Sequence, residues 1–142
     1  MGKDSTGESA AKAADAVAER GEPLIRSAPM PADMNGNGDI FGGWVLSQMD
    51  IAGGIVAARR AQGRVVTVAV DAMTFHQPIK VGDIVSIYGR VIRVGRTSMA
   101  VQMETIVARR LDPTEIKVTE GVYTYVAIDE NGKSRPVPQE GK

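Results

Sequence analysis

The hydrophobic period of this chain changes once, at Gly63. From Ile40 to Gln62 apolar residues recur every third or fourth position, and beyond Gly63 they recur every second. That change admits few folds: a long helix comes first and long strands follow, with no helix between the strands to make them parallel. Phe41, Val45, Met49, Ala52 and Val56 form the helical stripe, flanked by Trp44, Gln48 and Ile55. A polar face is almost missing until Arg59 and Arg60, so the helix is expected to be enclosed on most sides. Those arginines suit the C-terminal dipole, Gly63 can close the helix, and Asp39 stands where an N-cap belongs.

The period-two part divides into four runs, Arg64–His76, Asp83–Val94, Thr97–Leu111 and Ile116–Ile128. In the third, Met99, Val101, Met103, Thr105 and Val107 alternate with Ser98, Ala100, Gln102, Glu104 and Ala108, which predicts a half-exposed strand. Gly95-Arg96 supplies a hairpin, Asp112-Pro113 a turn, and Asn131-Gly132 ends the sheet. Pro23-Leu24-Ile25-Arg26 reads as a first strand, and the loop Ala28–Gly38 is rich in turn formers. The expected class is α+β, a curved antiparallel sheet wrapped round one long central helix over residues 23–138. Residues 1–22 read as a polar, alanine-rich flexible tail with a frayed helix from Ser9 to Arg20, and residues 139–142 as a short C-terminal tail.

Charge and composition remove several functions. Seventeen basic residues balance seventeen acidic ones, and aromatics make up 4%, so neither a nucleic-acid surface nor an anionic membrane is an expected partner. The chain has no cysteine, which excludes thiolate metal sites and cysteine nucleophiles. Its single histidine excludes a multi-histidine metal site. No apolar run reaches the ~18 residues of a membrane span, and the N-terminus lacks an apolar signal core, so a cytoplasmic location is expected.

The stretch NGNGDIFGGW, residues 35–44, works against its own helix. Gly42 and Gly43, with Gly53 and Gly54, cost the helix roughly 3–4 kcal/mol relative to alanine. Close approach of the sheet is the expected reason for Gly53 and Gly54. At the N-terminal mouth, Gly42 and Gly43 either pack tightly under the sheet or leave bare backbone N–H groups facing a ligand.

The blocks NGDIFGGW, VLSQMD, GRVVTVAVDAMTFHQPIKVGD, VGRTS and NGKSRPVP occur in this order between about Pro23 and Pro138. Together they resemble the YciA-like branch of the hotdog-fold acyl-CoA thioesterases. That resemblance implies a long helix wrapped by an antiparallel sheet, a homodimer formed by pairing two sheets, and active sites at the dimer interface. It implies further assembly of dimers into hexamers as trimers of dimers. The implied activity is hydrolysis of acyl-CoA by water to free fatty acid and CoA, with no metal and no other cofactor. The general-base role falls on Asp39, and the oxyanion role on Gly42 and Gly43. Asp39 as a plain N-cap is the structural alternative.

The CoA half of such a substrate needs cations for its phosphates. Arg64, Arg96 with Ser98, and Arg135 with Ser134 are the candidates, each otherwise a solvated loop residue. The strand Val65–Val70 is expected to lie along the pantetheine arm. Met73, Met99 and Met103 either line an adaptable acyl tunnel or fill the core. Asn35, Asn37 and Ser47 are candidates for assisting Asp39 from the partner subunit. Two rivals remain. Asp71 and His76 share the D-x4-H spacing of hotdog enoyl-CoA hydratases, but follow the helix and fall on opposite faces of a regular strand; His76 reads more simply as a strand-boundary residue. A non-catalytic acyl-CoA-binding or sensing protein is the other alternative.

Overall fold

The computed structural model describes residues 20–109 and 111–140. The expected frayed helix from Ser9 lies outside the described residues except for Arg20. The elements are β1 (Ile25–Ser27), α1 (Gly42–Ala61), β2 (Val65–Phe75), β3 (Asp83–Val94), β4 (Ser98–Arg109) and β5 (Glu115–Ala127), with a 3-10 turn at Pro31–Asp33. The strands form one antiparallel sheet in the order β1-β3-β4-β5-β2. Helix α1 lies against β2, β3, β4 and β5 alike, the α+β arrangement that the change of period predicts.

The core forms where the helix meets the sheet. Met49, Ala52, Ala57 and Ala61 of α1 are sealed against Val85, Ile87, Met99, Val101, Met103, Val107, Tyr123 and Tyr125. Small residues on the helix let the sheet approach closely. A Cβ on Gly53 would come within 3.1 Å of Tyr125 Cζ and closer still to its hydroxyl, whereas one on Gly54 would meet the ring only at 3.9 Å. Close approach therefore explains Gly53 far better than Gly54. Strand β4 is less exposed than its alternation predicts, because Ala100 and Ile106 on its other face are buried too.

Both helix ends depart from expectation. Asp39 does not cap α1; Phe41 occupies the N-cap position, and no side chain caps it. Tertiary bonds set this start. The Ile40 N–H donates to the Ile79 carbonyl at 2.9 Å and the Phe41 N–H to the Asp33 carbonyl at 2.9 Å, which holds the chain extended through Phe41. At the other end Gln62, not Gly63, takes the left-handed conformation with φ 54°. Gly63 donates to the Ala58 carbonyl at 3.1 Å, completing a Schellman closure. A Cβ at 63 would meet the Arg135 guanidinium, so a larger residue there would have to displace that side chain.

The helix is also less enclosed than its composition predicts. Phe41, Ser47, Ile51 and Arg59 are exposed, because the sheet of a single chain covers only one side of α1. Edge strand β2 exposes Val66, Val68 and Val70. It carries two register shifts, at Thr67/Ala69 and Asp71/Thr74, and Ala72 in the second has φ 51°. The extra residue there restores matching parity between Asp71 and His76, so the opposite-face argument from a regular strand fails. Among the described residues, no helix is long and apolar enough to cross a membrane.

Candidate active site

The mouth of α1 is assembled by a loop that Asn35 organises. Asn35 Oδ1 accepts the Asn37 N–H at 2.8 Å and the Asp39 N–H at 3.1 Å, while the Asn35 N–H donates to the Asp39 carbonyl at 2.7 Å. Asn35 is thus a loop organiser, with its side-chain oxygen occupied. Ser47 Oγ donates to the Trp44 carbonyl at 2.9 Å, within the helix. The Asp39 side chain, part-buried, forms an ion pair with Lys80 Nζ.

Gly42 and Gly43 open the helix immediately beyond. Among the described residues, no acceptor takes the N–H of either glycine. A Cβ on Gly43 would meet nothing within 4 Å, and one on Gly42 only the Phe75 ring at 3.6 Å. Tight packing under the sheet is therefore not what keeps these glycines. The result is a helix pole with two free donors, a carboxylate on the chain leading into it, and an aromatic wall from Phe75, which is half exposed.

The candidate CoA residues gather elsewhere. Arg64 receives the Ile128 N–H on its carbonyl at 3.0 Å, Arg96 receives the Val137 N–H at 2.8 Å, and Arg135 donates its N–H to the Ala127 carbonyl at 2.9 Å. Ser134 pairs with Ile128 in an isolated bridge, and the Ser98 carbonyl accepts the Gly95 N–H at 2.8 Å. Arg64, Arg96, Ser98, Ser134 and Arg135 thus share one end of the sheet, beside the C-terminus of α1. Asp39, Gly42 and Gly43 lie at the other end of a 20-residue helix, about 30 Å long at 1.5 Å per residue. The structure does not bring the two sets together within one chain.

Their freedom differs as well. The Arg135 guanidinium donates to the Ala61 carbonyl at 2.9 Å, the Ile128 carbonyl at 3.2 Å and the Pro136 carbonyl at 3.2 Å. It ties off the helix C-terminus, which corrects its reading as a solvated loop charge. Arg64 reaches the Glu130 carbonyl only at 3.5 Å. The Arg96 side chain has no hydrogen-bond or ion-pair partner among the described residues.

Residues 37–111 match the thioesterase superfamily. The acyl-CoA thioester hydrolase YciA of Salmonella typhimurium is 49% identical over 125 residues, covering 86% of this chain and 94% of that protein. A hexameric thioesterase from Yersinia pestis superposes with a TM-score of 0.79 at 51% identity, covering 84% of this chain and 97% of that one. A hexameric hotdog fold thioesterase of Campylobacter jejuni superposes with a TM-score of 0.81 at 41% identity, covering 86% and 94%. This chain belongs to the hotdog thioesterase superfamily, in its YciA-like branch.

Within this thioesterase the remaining candidates take ordinary places. Met99 and Met103 are buried core residues, as core filling predicts, while Met73 is half-buried against Gly121. His76 Nε2 lies 2.7 Å from Glu120 Oε2, a hydrogen bond that holds the Glu120 carboxyl below its usual range. Asp71 is not hydrogen-bonded to His76, so no hydratase-like dyad forms. Sequence reasoning missed three features of the thioesterase: Lys80 on Asp39, the Phe75 ring at the helix mouth, and a carboxylate network around Asp50. Thr67 Oγ1 donates to Asp50 Oδ1 at 2.6 Å, and the Tyr125 hydroxyl lies 3.1 Å from the same oxygen. Burial, with the Asp50 charge second, pushes the Tyr123 phenol up to about 12 and raises that of Tyr125 as well. Lys80 stood in plain view in the HQPIKVGD block, yet no periodicity links it to an acid 41 residues away.

Proposed function

We propose that this thioesterase hydrolyses acyl-CoA to free fatty acid and CoA at the mouth of α1. The observation that carries the proposal is the pairing of a carboxylate, Asp39, with the two unclaimed N–H groups of Gly42 and Gly43. A water attacks the thioester carbonyl carbon and gives a proton to Asp39 as the new C–O bond forms. The carbonyl oxygen, now negative, takes hydrogen bonds from the glycine N–H groups. Collapse breaks the C–S bond, the thiolate leaves, and the proton returns to yield CoA-SH. Bare glycine lets the thioester reach the backbone without a Cβ in the way.

The separation of the two residue sets supports a site shared between protomers. If two copies of β2 pair antiparallel along their exposed edges, the Val65 end of one strand meets the Phe75 end of the other. The partner's Arg64 and Arg96 then approach the helix mouth that one chain alone leaves bare, with the partner's Ser98 and Ser134 beside them. Of the three candidate arginines, Arg96 alone has no side-chain partner among the described residues and is assigned to a CoA phosphate, while Arg135 supports the shape of that end. The exposed valines on β2 fit such a seam. Hexameric relatives support further assembly of these homodimers as a trimer of dimers.

The test is thiol release from acyl-CoAs ranging from acetyl to palmitoyl, with wild type and Asp39→Ala compared side by side. Loss of at least ~100-fold in a folded Asp39→Ala, the lower end for a general base, is the expected result. Wild type that binds CoA yet turns over no chain length would instead mark an acyl-CoA sensor.

A further inference from the structure

We infer that Lys80 is the positioning residue for the Asp39 carboxylate, an assignment that rests on the hydrolase reading above. The two side chains meet because their backbones are fastened together. The residue after Asp39, Ile40, donates its N–H to the carbonyl of the residue before Lys80, Ile79, at 2.9 Å. Ile79 is itself buried.

The segment bearing Lys80 is held on every side. The Lys80 N–H donates to Asp83 Oδ2 at 2.9 Å, and the Asp83 N–H returns to the Lys80 carbonyl at 3.1 Å. Asp83, only 3% exposed, is in turn paired with Arg109 Nη1 at 2.8 Å. Arg109 Nη2 donates to the Pro78 carbonyl at 3.0 Å. Pro78, Ile79 and Lys80 therefore each have a backbone group tied to a fixed partner.

Asp39, by contrast, has no hydrogen bond to its carboxylate other than that of Lys80 among the described residues. Its side chain leaves a glycine-rich loop, and no other hydrogen bond among the described residues fixes its rotamer. The pair is partly exposed, with side chains 52% and 28% accessible, so its contribution to stability is small. Its consequence is orientation. Lys80 holds Oδ1, which leaves Oδ2 to take the proton from water, and small errors in such placement are costly in rate. Lys80 acts through Asp39 and touches no reacting atom.

Full-length Lys80→Met and Lys80→Arg are assayed beside wild type and Asp39→Ala, with thermal midpoints recorded for each. Lys80→Met is expected to lower kcat about tenfold, with KM changed by less than about twofold, because only the orientation of the base is lost. Its midpoint stays near that of wild type, and Lys80→Arg recovers most of kcat. Wild-type or higher kcat in Lys80→Met overturns the assignment, as would a loss confined to KM or one shared equally by Lys80→Arg. Full activity in Asp39→Ala is a different failure, because it removes the hydrolytic site itself.

Discussion

The Tyr125 hydroxyl lies 2.8 Å from the Asp50 carbonyl oxygen and 3.1 Å from Asp50 Oδ1, sharing its proton between the two. Since Thr67 donates to the same carboxylate, β5, edge strand β2 and α1 all meet on one side chain. Gly53 lies against this tyrosine, so the helix sits as close to the sheet as its backbone allows.

Gly53→Ala and Gly43→Ala should therefore behave oppositely. Alanine at 53 drives into Tyr125, and urea unfolding should show a loss of about 1–3 kcal/mol from overpacking. Alanine at 43 meets nothing, so stability should hold or rise by up to about 1 kcal/mol, while thiol release falls because a Cβ crowds the thioester.

Alkali should weaken the protein through its buried phenols. The Tyr123 phenol is raised from 10.0 to about 12 in the fold, so the folded state keeps its proton more tightly than the unfolded one. That stabilisation is complete below about pH 10 and is lost as pH rises toward about 12. Urea midpoints measured from pH 9 to pH 12 should fall across this window, and Tyr123→Phe should flatten the slope. The same variant should cost about 1 kcal/mol at neutral pH for the lost bond to the Leu46 carbonyl.

Two arginines should separate scaffold from ligand. Arg135→Met leaves the Ala61 and Ile128 carbonyls without their donor and should lower stability by about 1.5–3 kcal/mol. Arg96→Ala breaks no such contact; it should leave the urea midpoint unchanged and raise KM for acyl-CoA. Equal effects on stability would remove Arg96 from the phosphate role.

A lysine on the exposed β2 edge should test the shared site. Val68→Lys is expected to leave a folded chain that sediments as a monomer and releases little thiol, because a charge opposes strand pairing. A monomer with full activity would show that one chain holds a complete site.

Much of this was legible in the chain itself. The single change of period at Gly63 determined one helix followed by four long strands, since alternation is a local property of the residues that form each element. NGDIFGGW marked the helix mouth, but only the structure showed that its glycine pair does not pack tightly under the sheet, since a Cβ on Gly43 would meet nothing within 4 Å. Tertiary structure decided the polar partners. Lys80 reaches Asp39 from 41 residues away, and Arg135 reaches the Ala61 carbonyl from 74. It also moved the N-cap from Asp39 to Phe41, since bonds to Ile79 and Asp33 outweigh the capping preference of an aspartate. Periodicity reports which face of an element is buried, but not which distant side chain comes to lie against that face. For that reason the order of residues put Asp39 at one end of the helix and Arg64 just beyond the other, but only the fold gathered Arg96, Ser98, Ser134 and Arg135 at the Arg64 end.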